Sequence, residues 1–175
     1  MSQINVDTIT DEAGTGAVNF STGITGNLTG NVTGNVAGAV TATTISASST
    51  LSLAEVIEAV ATDTSTTGTI TFDVLSGAVT YFNTAQTANR TIDFTNANTT
   101  MAIGESMTFA VLMTQTGTAY YLNAYQVDSS AVTPKWQGGS APTAGNINSI
   151  DSYGFTIIKT ADATFTVLAS QTQFA

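Results

Sequence analysis

The chain contains no Cys and no His. That removes thiolate and imidazole together, and with them thiol nucleophiles, disulfides, the Ser-His-Asp arrangement and the usual zinc sites. Acid–base and metal chemistry is left to carboxylates, which in the C-terminal part are Asp73, Asp93, Glu105, Asp128, Asp151 and Asp162. Cleaving a polysaccharide needs two of them about 5 to 10 Å apart, one as acid and one as nucleophile or base. All are isolated in sequence and several stand beside Ser, Thr or Asn, as turn residues do. Asp128, Ser129 and Asp151 offer oxygens to Ca²⁺, but no twelve-residue loop pattern surrounds them. The expectation is a non-enzyme with no catalytic residue, no metal and no cofactor.

Binding chemistry is better represented. Tyr120, Tyr121, Tyr125 and Trp136, with Lys135 and Gln137 beside the Trp, run from a strand into the loop Gly138-Gly-Ser-Ala-Pro-Thr-Ala-Gly-Asn146. Aromatic faces next to amide and hydroxyl groups suit stacking on sugars, and loops on a rigid scaffold commonly carry recognition. We take Tyr120, Tyr121, Trp136 and Gln137 as the candidate binding set. The competing role for a single Trp in a small β domain is core or subunit interface.

Charge narrows the partners. Three basic residues face 12 acids, giving −9, and charged residues are only 9%. Arg90, Lys135 and Lys159 lie far apart in sequence. No basic footprint for nucleic acid exists. Hydrophobic residues reach 42%, enough for a folded core, and no apolar run approaches the ~18 residues of a membrane span, so no membrane insertion is expected. Met1 to Asp7 hold no basic cluster ahead of an apolar core, so no secretory leader is expected.

The elements that would position these groups fall into four stretches. Residues 1–22 begin with Ile4, Val6 and Ile9 around a short alternation; a piece this short cannot bury a core and must dock elsewhere. Residues 23–50 carry Gly-Asn-Leu-Thr, Gly-Asn-Val-Thr, Gly-Asn-Val-Ala and Gly-Ala-Val-Thr, with aliphatics at Leu28, Val32, Val36 and Val40. Four is a multiple of two, so an extended backbone puts Leu28, Val32 and Val36 with the glycines on one face and Asn27, Thr29, Asn31 and Thr33 on the other. The glycines admit a neighbouring backbone, so several copies wound on one axis would bury the stripe, most simply as a homotrimer. A collagen reading fails on the period and the lack of Pro. A loose linker would not place an aliphatic at every fourth position.

Residues 51–67 offer a capping box, Ser52-Leu-Ala-Glu55, before Leu53, Val56, Ile57 and Val60. This spacing predicts a helix to Ala61 that either joins two other copies in a bundle or packs on its own chain. Residues 68–175 alternate Thr, Val, Ile and aromatics in runs at 69–75, 78–83, 90–95, 106–115, 119–127, 152–159 and 163–170. The expected fold is all-β, with an antiparallel sandwich or jelly-roll head. Its inner faces would come from Phe72, Val74, Phe109, Val111, Phe155, Ile157, Phe165 and Val167.

Three features together resemble the virion fibre and tail-fibre-like structural proteins of marine tailed phages, notably those infecting cyanobacteria. These are the opening Ile-Asn-Val-Asp-Thr-Ile with Gly-Thr-Gly and Val18-Asn-Phe20, the Gly-Asn-Leu-Thr-Gly-Asn-Val-Thr repeat, and the C-terminal Gly117-Thr-Ala-Tyr-Tyr121, Trp136-Gln-Gly-Gly139, Pro142-Thr-Ala-Gly-Asn146 and Thr156-Ile-Ile-Lys159. The resemblance implies a virion location and a homotrimeric appendage. Its N-terminus, through Ile4, Val6 and Ile9, would meet other virion proteins, and its head would point outward to a host-surface glycan or protein. It also leaves room for a head or neck decoration without a receptor, and for a carbohydrate-binding module or polysaccharide-degrading spike.

The stripe generates a test. Val32→Asp would gather three like charges on a poorly hydrated axis and cost several kcal/mol, whereas Asn31→Asp faces solvent, where repulsion is screened over about 8 Å. The trimer melting temperature should fall much further for Val32→Asp; equal shifts would contradict axial packing.

Overall fold

A computed structural model describes residues 50–175; the expected attachment segment and repeat shaft lie outside the described residues. Ser52–Ala175 forms one compact unit. It is all-β: β1 (Val60–Asp63), β2 (Ile70–Asp73), β3 (Val79–Phe82), β4 (Arg90–Thr95), a four-residue helix α1 (Ala97–Thr100), β5 (Ser106–Thr114), β6 (Leu122–Val127), β7 (Ser130–Ala131), β8 (Lys135–Trp136), β9 (Ile150–Ala161) and β10 (Thr164–Phe174).

Two sheets share these strands, a larger one in the order β1-β3-β5-β9-β10-β8 and a smaller one in the order β2-β4-β6-β7. From β1 to β6 the chain alternates between the sheets and adds one strand to each in turn. Each new strand therefore lies parallel to the previous strand of its sheet: Val60 opposite Val79, Val79 opposite Ala110, Ile70 opposite Ile92 and Ile92 opposite Tyr125. Parallel neighbours require a crossover, and here each crossover is a strand of the opposite sheet. The first six strands thus form a short two-sided coil. The long hairpin β9–β10 then lies antiparallel against β5 and closes the larger sheet. This corrects the antiparallel expectation. The physical reason is that period-two alternation sets which face is buried and carries no information on partner direction.

The expected inner faces are where the core forms. Phe72, Val74, Phe109, Val111, Phe155, Ile157 and Val167 are buried, and Phe165 packs against them half-buried. Phe72 and Phe94 of the smaller sheet meet Phe109 and Phe155 of the larger. Phe72–Phe109 and Phe94–Phe155 make edge contacts at ring centroid distances of 5.0 and 5.1 Å, a geometry that satisfies the ring quadrupoles.

The helix expected from Ser52 to Ala61 is absent. Residues 51–59 have no regular structure and Val60 opens β1. Leu53, Val56, Ile57 and Val60 are exposed, Ile57 by 90%. A helix this short needs a surface to pack on; these side chains stay exposed, and the β-branched Val60 pairs with Val79 in a strand instead. The compact unit also starts before Gly68, the expected first residue of the head.

The segment between β1 and β2 is held by Arg90, which is buried at 2% exposure. Its Nε donates to the Gly68 carbonyl at 3.1 Å. One terminal nitrogen donates to the Ser65 carbonyl and to Gln86 Oε1 at 3.1 and 3.2 Å, and the other to Ser65 Oγ at 3.1 Å. The guanidinium sits 4.5 Å above the Phe82 ring. Burial lowers its pKa from the ordinary arginine value while the Asp63 charge opposes the shift. Lys cannot reproduce a planar fork with four bonds. Arg90→Lys and Arg90→Met should each cost about 3 kcal/mol in urea unfolding; a loss under about 1 kcal/mol would show that this fork does not hold the first turn of the coil.

Candidate functional site

The carboxylates are committed to the fold. Asp128 accepts from the Ala97 and Asn98 amides at 3.1 and 2.7 Å and caps α1, while its own backbone and that of Ser129 turn through positive φ between β6 and β7. Asp93 takes the Ser129 amide and hydroxyl at 3.0 and 3.1 Å. Asp73 accepts from the Leu75 amide and Asn96 Nδ2, Glu105 from the Ala102 amide, and Asp162 from Asn98 Nδ2. The Leu75 amide bond holds the Asp73 carboxyl below its usual range. The three oxygens considered for Ca²⁺ are thus split among different tasks.

Asp151, fully buried, belongs to a polar cluster at one end of the domain. It accepts from the Asn146 amide and side chain at 3.0 and 2.5 Å. Gly145 passes so close that a Cβ would collide with the Tyr120 carbonyl and the Asp151 carboxylate, so only glycine fits there. The buried Gln115 clasps Tyr120 from both sides, Nε2 donating to its carbonyl at 2.7 Å and Oε1 accepting from its amide at 2.9 Å. The buried Tyr153 hydroxyl accepts from the Leu122 amide and from Gln171 Nε2 at 3.4 and 3.0 Å. The Tyr125 hydroxyl donates to the Leu122 carbonyl. This cluster fixes the two long connections, residues 115–121 and 137–149.

Two of the three cations are spent in the same way. Besides Arg90, Lys159 is buried, with Nζ donating to the Asn98 and Met101 carbonyls at 2.7 and 2.9 Å, at the C-terminal end of α1. Lys135 is exposed on β8. It stands at the edge of an open groove of about 530 Å³ on the outer face of the larger sheet, with Trp136, Gln137, Thr108, Thr156 and Ser170. The floor is Gly154, where a Cβ would come within 3.1 Å of Ser170 Oγ, and the Thr108 and Thr156 hydroxyls pair across β5 and β9 at 3.3 Å. Leu168, 42% exposed, adds an apolar spot. Hydroxyls, an amide and one ammonium are groups for holding a polar, largely neutral surface.

The structure brings together half of the candidate binding set. Trp136 and exposed Gln137 share the groove. Trp136 is half-buried, its ring edge-on to Tyr125 at 5.4 Å and near Phe155 at 6.5 Å, on the core side of β8 that it shares with buried Ala169, while Lys135 faces out beside Leu168. Tyr120 sits in the Gln115 clasp, and Tyr121 packs on the core with its amide on Asn89 Oδ1. Neither lines the groove. Thr108, Thr156, Ser170 and Gly154 were missed; a glycine inside an otherwise perfect strand alternation was the available signal.

Burial raises the pKa of the Tyr153 and Tyr125 hydroxyls far above the ordinary phenol value. The unfolded chain releases these protons above pH ~10 while the folded chain keeps them, so the unfolded state binds fewer protons and stability falls as pH rises. Unfolding free energy should be insensitive to these groups from pH 7 to ~9 and decline above pH ~10 by up to about 1.4 kcal/mol per unit per tyrosine. The double variant Tyr125→Phe/Tyr153→Phe should start lower and decline less steeply; an identical slope would contradict the assignment. Compared with protein-family models, with curated proteins and with solved structures, the chain has no match.

Proposed function

We propose that the chain is a non-enzymatic structural protein of a phage virion: a homotrimeric tail fibre whose shaft carries β heads for attachment to a host surface. The observation that carries the reading is the run Leu51, Leu53, Val56, Ile57 and Val60, all more than half exposed, directly after a repeat with an aliphatic at every fourth residue. A chain that satisfies its buried charges so thoroughly elsewhere leaves this apolar run for copies of itself. The resemblance of the opening, the repeat and the C-terminal motifs to phage fibre proteins supplies the virion context.

The head contributes the attachment surface. Its groove, bordered by Trp136, offers Gln137, Lys135 and a row of hydroxyls, which fits a glycan or a polar protein loop and offers no strong field to a nucleic acid. Light scattering on the full chain should give a mass of three times 17.9 kDa. The single Trp makes its own fluorescence the probe of the groove, and titration with host-surface polysaccharide should shift it, with Gly154→Val abolishing the shift. A monomer across dilute and concentrated samples would overturn the fibre reading; a trimer with unresponsive fluorescence would leave decoration as the better role.

A further inference from the structure

The two ends of the coil are treated differently by the sequence. At the C-terminal side the edges are blunted: β7 and β8 are two residues each, and β8 follows Pro134 and opens with Lys135, devices that discourage strand addition. At the other side β1 is an edge of the larger sheet, all four residues exposed, and reads Val-Ala-Thr-Asp. Beside it a cleft of about 200 Å³, lined by Ala61, Thr62, Asp63 and Thr71, runs between the sheets to Phe72. A coil left open at its first turn leaves the outer edge of β1 without a neighbouring strand and requires a cap.

The residues just before β1 have the composition of such a cap, with Leu51, Leu53, Val56 and Ile57 exposed. They cannot reach their own β1. After a bend at Ala54 the segment leads directly into Val60, and folding back onto β1 needs a tight turn, for which residues 51–63 contain no Gly, Asn or Pro. We infer that the open edge of β1 is completed by residues 51–58 of a second copy, each chain lending this segment to the next around the trimer. The inference rests on the homotrimer reading above. It makes the junction between repeat and head an exchanged-strand interface, in place of the helical bundle expected from the sequence.

The absence of Cys gives a direct test in the full chain. Leu53, Val56 or Ile57 would be changed to Cys, each combined with Cys at Ala61 or Thr62, and oxidised mildly. Within one extended chain the closest pair, residues 57 and 61, spans about 13 Å, beyond the ~7 Å limit for a disulfide. The expected result is that at least one pair runs as a covalent trimer on a non-reducing gel, while each single-Cys control stays a monomer or forms dimers only. If light scattering reports a trimer but every pair runs like its single-Cys controls, strand exchange is wrong and the trimer stands on other contacts. If it reports a monomer, the homotrimer reading fails and the inference with it.

Discussion

The cluster of Phe72, Phe94, Phe109 and Phe155 is the constraint on which the domain depends. Neighbouring ring centroids in it lie 5.0 to 5.5 Å apart, and they join sheets that share no backbone ladder. A chain alternating between two sheets gains its parallel pairing only if both sheets stay face to face. Each strand of the coil is short, four to nine residues, so cross-sheet burial must supply what local propensity cannot. The hairpin of β9 and β10, 12 and 11 residues long, then covers the larger sheet beyond β5 and brings Phe155 into the cluster.

Around that core, ionised groups serve geometry. Arg90 ties down the first crossover, Lys159 the end of α1, and Asp93 and Asp128 a turn whose two central residues hold positive φ. A buried charge is tolerated when each donor or lone pair finds a partner. The consequence for function is a surface with few free charges and many hydroxyls, on which Trp136, Gln137 and Lys135 stand out. Low charge on a β protein favours self-association wherever an edge is left open.

Much of this was legible in the residues. The run from Arg90 to Thr95 is a strand with the same limits, and the alternations through Phe109–Val111 and Phe155–Ile157 mark the buried face correctly. Strand direction was not legible, because an alternating pattern is the same whether its neighbour runs parallel or antiparallel. The segment 52–61 differs for a physical reason: helical spacing describes where a partner surface must lie, and here Leu53, Val56 and Ile57 stay exposed while Val60 pairs in a strand. In the site, Trp136 and Gln137 were found through their own chemistry. Thr108, Thr156 and Ser170 escaped because threonine and serine on an outer face look alike whether or not a groove lies above them. The Gln115 clasp on Tyr120 was not legible either, because it holds the backbone, and backbone clasps leave no side-chain signature.

These features describe a small β domain with one apolar end, residues 51–60, directly after the four-residue repeat in sequence. In the proposed reading, assembly at that end and recognition on the outer sheet face are separate tasks on separate surfaces. Electron microscopy of the purified full chain tests this division most directly. The account predicts particles in which three compact heads meet at one end of a single thin stem; a field of isolated single globules with no stem would contradict it.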